Sequence, residues 1–323
     1  MDLSRRQVLG GAVAALGAAV VAGTPAELEA QRAMTPRKRP ANEPFGYCLN
    51  TSTIRGNNLD IVAEVDAIAK AGFDGIEPWI TELDAYTAKG GSLKDLGKRI
   101  ADAGLVVENA IAFNSWLSDD EATRTAAMEK IKVDMDKVAQ IGGTRIATPP
   151  GGGGRRGGAA PVSLDNAATY YRAALELGQT MGVTPLCELW SSHPVLGPLS
   201  HGAYVAIQAG RADASLLLDV IHLYRSGTAF ESLTQVNGGA LHVLHVNDYP
   251  QAPDPTKITD AQRVYPGDGL APYGTIVRAL HDNGFRGVLS IELFNRDYWA
   301  KSADENLKTG LAKIREQVKK ALA

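Results

Sequence analysis

The sequence lacks several features that would place it in a specialised class of protein. Its 323 residues include only two cysteines, Cys48 and Cys187, which are too few for a structural zinc site. The formal net charge is only −3, so no basic excess is available to bind nucleic acid or an anionic membrane. Hydrophobic residues make up 45% of the chain, which is ordinary for a globular protein with a well-buried core.

The amino terminus has no apolar run of about 20 residues, the length that usually spans a bilayer. It begins instead with a paired arginine, Arg5 and Arg6, followed by the short apolar stretch GAVAALGAAVVAG. This layout resembles a twin-arginine export signal. We therefore expect a signal peptide over residues 1–30, with the twin-arginine export machinery as a partner. The protein would then be periplasmic, or tethered to the membrane if the signal is not cleaved. Residues 31–44 are polar and proline-rich, and we interpret them as a linker.

From Phe45 onward, short apolar runs alternate with amphipathic segments whose apolar residues recur at helical spacing. The first strand-to-helix turn, NTSTIRGNN, has no glycine fingerprint of a doubly wound open sheet. Eight alternating units therefore predict one α/β domain over residues 45–323, a single (β/α)8 TIM barrel. Cys48 and Cys187 fall in strands that face each other across such a barrel, so we expect no disulfide. The strands are predicted at 45–50, 75–79, 105–113, 144–148, 183–189, 215–219, 241–246 and 287–293. The helices are predicted at 59–72, 93–104, 121–142, 163–182, 201–210, 230–236, 273–284 and 305–322.

Metal-seeking side chains stand at the ends of the last four predicted strands, which contain VTPLCE, SLLLD, ALHVLH and GVLSIE. The four residues are Glu188, Asp219, His245 and Glu292. Because the carboxyl ends of barrel strands converge on one mouth, the four side chains are expected to meet there. Three carboxylates and one imidazole predict a site for one divalent metal ion. Mn²⁺ suits these mostly hard oxygen ligands, with Mg²⁺ and Co²⁺ as alternatives.

Longer motifs around these residues resemble those of the xylose isomerase-like barrels of sugar isomerases and epimerases. The matching segments are CELW, LLLDVIH, HVLHVND, LSIELF and YPGDG. The resemblance covers residues 45 to about 320. It implies a metal-dependent isomerase or epimerase whose substrate is a small carbohydrate. It also implies that Glu188 and Glu292 remove and return a proton through an enediolate, while both bind the metal.

Several further residues are candidates for contacts with the substrate. The resemblance implies that His222 holds a substrate oxygen and that Arg263, in the long loop after the seventh strand, is another contact. Trp79 and Trp116 follow the second and third strands, and an indole ring covers the apolar face of a sugar well. The remaining candidates are Glu77, His193 and Asp248.

Other functions stay open at this point. A lyase or dehydratase that eliminates from a 3-keto-glycoside or an inosose would use the same enediolate. A non-catalytic sugar-binding barrel would keep the fold, although the two glutamates argue against it. The endonuclease branch of the superfamily needs a histidine-rich site, and this chain has only six histidines. Gln251 stands about where the epimerases carry an arginine, which argues against a free ketohexose held in their pose. Self-association into a homo-oligomer also stays open.

Overall fold

The computed structural model describes residues 43–151, 161–254 and 257–323. The predicted signal segment 1–30 and nearly all of the predicted linker 31–44 lie outside the described residues. Within these ranges, no helix is both long and apolar enough to cross a membrane.

Eight parallel strands form one curled sheet in the order β3-β2-β1-β8-β7-β6-β5-β4. This is the circular order of the predicted TIM barrel, with its seam between β3 and β4. At the seam the N–H of Ala147 donates to the carbonyl oxygen of Ala110 at 2.9 Å. The strands are β1 Gly46–Asn50, β2 Gly75–Glu77, β3 Val106–Val107, β4 Arg145–Thr148, β5 Thr184–Glu188, β6 Leu216–Asp219, β7 Leu241–Val246 and β8 Val288–Ile291.

The strands are apolar on both faces because each face is buried. A small cluster holds one residue in or beside each of seven strands, as expected for the interior of a barrel. The members of this cluster are Cys48, Ile111, Ala147, Leu186, Leu217, Val243 and Val288. Cys187 belongs instead to the larger cluster beneath the surrounding helices, and both thiols are free. The two cysteines therefore point into different layers of the fold.

The helices cover the outside of the sheet and begin at recognisable caps. Side chains of Asp60, Ser92, Asp120, Ser163 and Ser302 each accept a hydrogen bond from a backbone N–H in the first turn that follows. The helices are α1 Ile61–Ala71, α2 Ile80–Ala88, α3 Leu93–Asp102, α4 Glu121–Gln140, α5 Leu164–Met181, α6 Leu199–Gln208, α7 Val220–Arg225, α8 Tyr273–Asp282, α9 Arg296–Trp299 and α10 Ala303–Leu322.

The prediction of one helix per strand is wrong in three places. Helix α2 lies between β2 and α3, and its sequence ITELDAYTA does not separate apolar from polar residues clearly. Helices α7 and α9 are too short, at six and four residues, for helical periodicity to reveal them. The segment predicted as a helix at 230–236 is a 3₁₀ helix, Phe230–Gln235.

Glu64 on α1 makes the stability of the barrel depend on pH. Its side chain is 3% exposed, and Oε2 has no hydrogen-bond partner. Burial above all, with the nearby Glu82 adding to it, raises the pKa of Glu64 from 4.5 to about 9. The folded protein thus keeps a proton that the unfolded chain releases above pH 4.5. The stability from this group is complete below pH 4.5 and falls, by up to about 1.4 kcal/mol per pH unit, as the pH rises towards 9.

We therefore expect Glu64→Gln to raise the melting temperature more at pH 8 than at pH 5. The measurement is thermal unfolding followed by circular dichroism at a series of pH values. Glu129→Gln, at an exposed position of α4, is the matched control and should leave the pH profile unchanged. Parallel profiles for Glu64→Gln and wild type would contradict the assignment.

Candidate metal centre

Three of the four predicted ligands meet at the carboxyl ends of adjacent strands. Asp219 ends β6, His245 is the next-to-last residue of β7, and Glu292 follows β8 directly. Asp219 pairs with His245 in the sheet register, which brings these two side chains level. The three residues are buried, and each offers one ligand atom within 4.8 Å of the other two.

His245 presents its two ring nitrogens to different surroundings. Its Nδ1 lies 3.2 Å from Oε2 of Glu292 and makes no hydrogen bond. Its Nε2 lies 3.2 Å from Oε2 of Glu77, on the opposite side of the ring. Burial disfavours the imidazolium, but Glu292 and Glu77 outweigh burial and raise the pKa of His245 well above its ordinary value. Binding of a cation at Nδ1 would therefore have to displace a proton.

A buried guanidinium already neutralises part of this centre. Nη1 of Arg263 donates to Oδ2 of Asp219 and to Oε2 of Glu292, each at 2.7 Å. Nη2 donates to Oδ1 of Asp260 at 2.9 Å. Burial opposes ionisation of Asp219, but Arg263 and the nearby imidazoles outweigh it and hold the pKa of Asp219 well below its ordinary value. Arg263 thus acts as a counterion of the predicted ligands, although it also lines the adjacent cavity.

Glu188, the fourth predicted ligand, ends β5 and does not belong to the group of three. Its Oε1 accepts a hydrogen bond from Nε1 of Trp190 at 2.8 Å, whereas Oε2 is buried without a partner. Burial is the main cause that raises the pKa of Glu188 to about 8; His245 opposes the rise and Glu292 adds to it. Because Oε2 of Glu188 has no hydrogen-bond partner, it can bind a cation or accept a proton from a substrate.

The residues at this centre fit a divalent cation. Carboxylates of Asp219 and Glu292 and one imidazole nitrogen lie within reach of a single point. Nδ1 of His245 and Oε2 of Glu188 are buried polar atoms without hydrogen bonds, and such atoms need a partner. A cation bound by these groups would supply that partner.

A cavity of about 290 Å³ opens beside the centre. Its polar lining includes Glu188, Glu292, His222 and Arg263. Its lining also includes four aromatic side chains, with ring centroids of contacting pairs 5.3 to 6.2 Å apart. These rings belong to Trp79, Phe113, Trp190 and Phe294. A cyclic polyol, with apolar C–H faces and polar edges, suits such a cavity.

Two of the predicted substrate contacts, besides Arg263, line this cavity. Trp79 is one of the aromatic side chains of the lining, and its Nε1 donates to Oδ1 of Asn50 at 2.8 Å. His222 lies on α7, and its Nδ1 is within 3.1 Å of Oγ of Ser191.

The structure places four other predicted contacts elsewhere. Trp116 is 1% exposed and donates to the carbonyl oxygens of Thr148 and Pro149, so its ring belongs to the core. The imidazole of His193 accepts N–H groups within its own loop. Glu77 is fully buried in contact with Nε2 of His245 and is not among the cavity residues.

Asp248 has a structural task at the rim of the barrel. Its carboxylate accepts the backbone N–H groups of Gly267, Gly269 and Ala271 at 2.8 to 3.0 Å. These bonds hold the YPGDG loop against the end of β7. The carboxylate is fully buried there and does not line the cavity.

Sequence reasoning missed two amides that support the carboxylates of the centre. Nδ2 of Asn50 donates to Oε1 of Glu292 at 3.1 Å, and Nδ2 of Asn247 donates to Oδ1 of Asp219 at 3.1 Å. Asn50 ends β1 and Asn247 follows β7, so both stand at strand ends, as the predicted ligands do. Their position at the strand ends could have identified both amides as candidates for the site.

The chain resembles known proteins in sequence as well as in fold. A family model described as a xylose isomerase-like TIM barrel matches residues 65–317. An inosose isomerase of Bacillus velezensis is 25% identical over 265 residues, which are 81% of this chain and 93% of that protein. A 3-dehydroshikimate dehydratase of Pseudomonas putida is 21% identical over 252 residues, or 78% of this chain and 39% of that protein.

A solved structure shows the same fold. The crystal structure of a protein named IOLI, with a binding zinc atom, has a TM-score of 0.78 to this chain. The two sequences are 22% identical, and the match covers 85% of this chain and 99% of the other.

Proposed function

This chain belongs to the xylose isomerase-like TIM barrel family, and on that premise we propose that it is a divalent-metal-dependent isomerase or epimerase of a sugar or keto-sugar. The observation that carries the proposal is the group of Asp219, His245 and Glu292 beside a cavity that Glu188, whose Oε2 has no partner, also lines. The inosose isomerase among the relatives supports a cyclic or open polyol ketone as the substrate class.

Glu188 and Glu292 are the proposed carriers of the proton. Glu188, whose Oε2 is free, removes the proton from the carbon beside the substrate carbonyl, which leaves an enediolate. Return of a proton to the former carbonyl carbon isomerises the substrate, provided that the hydroxyl proton of the enediolate passes to the former carbonyl oxygen. Return of the proton to the other face of the same carbon epimerises the substrate. Glu292, which Arg263 and Asn50 hold in place, is the proposed donor on that second side.

The proposed ligands of the cation are Asp219, His245, Glu292 and Glu188. When bound, a divalent cation supplies a Lewis acid that stabilises the negative charge of the enediolate. Oxygen donors outnumber nitrogen in this set, so we propose Mn²⁺, with Mg²⁺ and Co²⁺ as alternatives. The zinc in the IOLI structure makes Zn²⁺ a necessary member of any test panel.

A lyase or dehydratase is the second candidate function, supported by the similarity to 3-dehydroshikimate dehydratase. Its first step would be the same: Glu188 removes the proton beside the carbonyl. This second outcome requires a leaving group on the β-carbon of the substrate, which is bonded to the deprotonated carbon on the side away from the carbonyl. In that case the electron pair left by deprotonation forms a double bond between these two carbons, and the leaving group departs. The substrate therefore decides between the two outcomes.

The test is deuterium exchange in D₂O with metal-stripped protein and a panel of ketoses, 3-keto-sugars and inososes. With Mn²⁺ added, we expect NMR to show that deuterium is incorporated at a carbon next to the carbonyl. A chelator should abolish this exchange. An isomer or epimer would support the first function, and an unsaturated product the second. No exchange by protein shown to hold the metal would contradict both and favour a sugar-binding barrel.

A further inference from the structure

Glu77 is a buried carboxylate at the end of β2. It is 0% exposed, and its two oxygens lie 3.2 and 3.3 Å from Nε2 of His245. A buried carboxylate without partners would be strongly destabilising, so its surroundings must satisfy it.

Two further donors complete the surroundings of Glu77. Nδ2 of Asn109, which follows β3, donates to Oε1 at 2.8 Å, and Oγ of Ser290 on β8 donates to Oε2. The carboxylate therefore accepts hydrogen bonds from residues in or beside three other strands. Because the three donors come from different parts of the barrel, they hold the carboxylate of Glu77 from several directions.

This arrangement determines which nitrogen of His245 keeps its proton when the ring becomes neutral to bind a cation. A carboxylate can only accept hydrogen bonds, so Nε2 beside it must be protonated. The neutral imidazole then has its lone pair on Nδ1, the atom that faces Glu292 and makes no hydrogen bond. That lone pair is the one a cation would need.

We propose that Glu77, held by Asn109 and Ser290, is a positioning residue that fixes the tautomer and ring orientation of His245 for binding a divalent cation. This proposal rests on the metal centre of the proposed function. It makes Glu77 neither a ligand of the cation nor a contact of the substrate. Partners of this kind commonly change metal affinity by about 10–100-fold when they are removed.

The test compares Mn²⁺ binding to metal-stripped wild type and Glu77→Gln by calorimetry. The amide has nearly the same shape but brings an N–H₂ donor. That donor favours a lone pair on Nε2 and moves the proton to Nδ1. We expect the dissociation constant to rise about 10–100-fold. In ¹⁵N-histidine NMR spectra of the metal-free proteins at high pH, the His245 signals should also change tautomer.

Two further variants make the result decisive. Glu64→Gln is the matched control, because it makes the same change in a buried carboxylate on α1, and it should leave the Mn²⁺ affinity unchanged. Ser290→Ala keeps Glu77 but removes one of its donors, and a smaller loss of affinity is expected even if Glu77→Gln folds poorly.

The outcomes separate the two proposals. Wild type that binds no divalent cation would overturn the proposed metal-dependent function. Wild type that binds Mn²⁺, together with unchanged affinity in folded Glu77→Gln and Ser290→Ala, would overturn the role of Glu77 alone.

Discussion

Replacing Glu188 by glutamine is expected to slow deuterium exchange at the carbon next to the substrate carbonyl by about 10²–10⁴-fold. Glutamine keeps an oxygen that can accept the hydrogen bond from Nε1 of Trp190, so the side chain should stay in place. It cannot take up a proton, which is the step assigned to the free Oε2. The measurement is the initial exchange rate by NMR at saturating Mn²⁺.

A control must separate proton transfer from metal binding, because Glu188 is also a proposed ligand. Trp190→Phe removes the hydrogen bond to Glu188 but keeps the carboxylate. It should therefore slow deuterium exchange far less than Glu188→Gln does. The Mn²⁺ affinity of each variant is measured alongside. If Glu188→Gln loses exchange only at low Mn²⁺ and matches the wild-type rate at saturating Mn²⁺, the residue is a ligand and not the base.

Replacing Arg263 by glutamine is expected to lower the free energy of unfolding of the metal-free protein by about 3–5 kcal/mol. The guanidinium is 2% exposed and bonds to Asp219 and Glu292 at 2.7 Å, so its loss leaves two buried carboxylates without their counterion. A divalent cation would neutralise the same carboxylates. Saturating Mn²⁺ should therefore reduce the loss, as measured by urea denaturation with and without metal.

Arg99→Gln is the control for this second prediction. The ion pair between Arg99 and Asp66 is exposed on both sides and screened by solvent, so removal of its guanidinium should change the free energy of unfolding far less than Arg263→Gln does. Saturating Mn²⁺ should not alter the effect of Arg99→Gln on the free energy of unfolding. If Arg263→Gln lowers the free energy of unfolding equally with and without Mn²⁺, the cation does not neutralise the carboxylates of Asp219 and Glu292 to which the guanidinium bonds.

The barrel and its strand ends were predictable because both depend on local patterns. Apolar runs of strand length alternate with helical periodicity, and parallel strands in such an order place their carboxyl ends together. Asp219, His245 and Glu292 are brought together as the pattern indicated. Helix α7 escaped prediction because it has only six residues, although it carries His222 into the cavity wall.

Depth within the barrel was not predictable from the same patterns. Trp79 and Trp116 both follow strands, yet Trp79 lines the cavity and Trp116 is enclosed in the core. Glu77 and Glu188 both end strands, yet Glu77 is fully buried against His245 and Glu188 lines the cavity. Distance from the mouth depends on the stagger of neighbouring strands, which long-range hydrogen bonds determine.

By itself, the sequence determined the fold, the order of the strands and the residue types at their ends. Alternation and apolar periodicity express these features within short stretches of chain. Only the tertiary structure decided that Arg263 shares the carboxylates of Asp219 and Glu292 and that Glu77 pairs with His245. The partners in these contacts are 29 to 168 residues apart in the chain. Only closure of the barrel brings such side chains within hydrogen-bonding distance, because no local pattern couples residues so far apart.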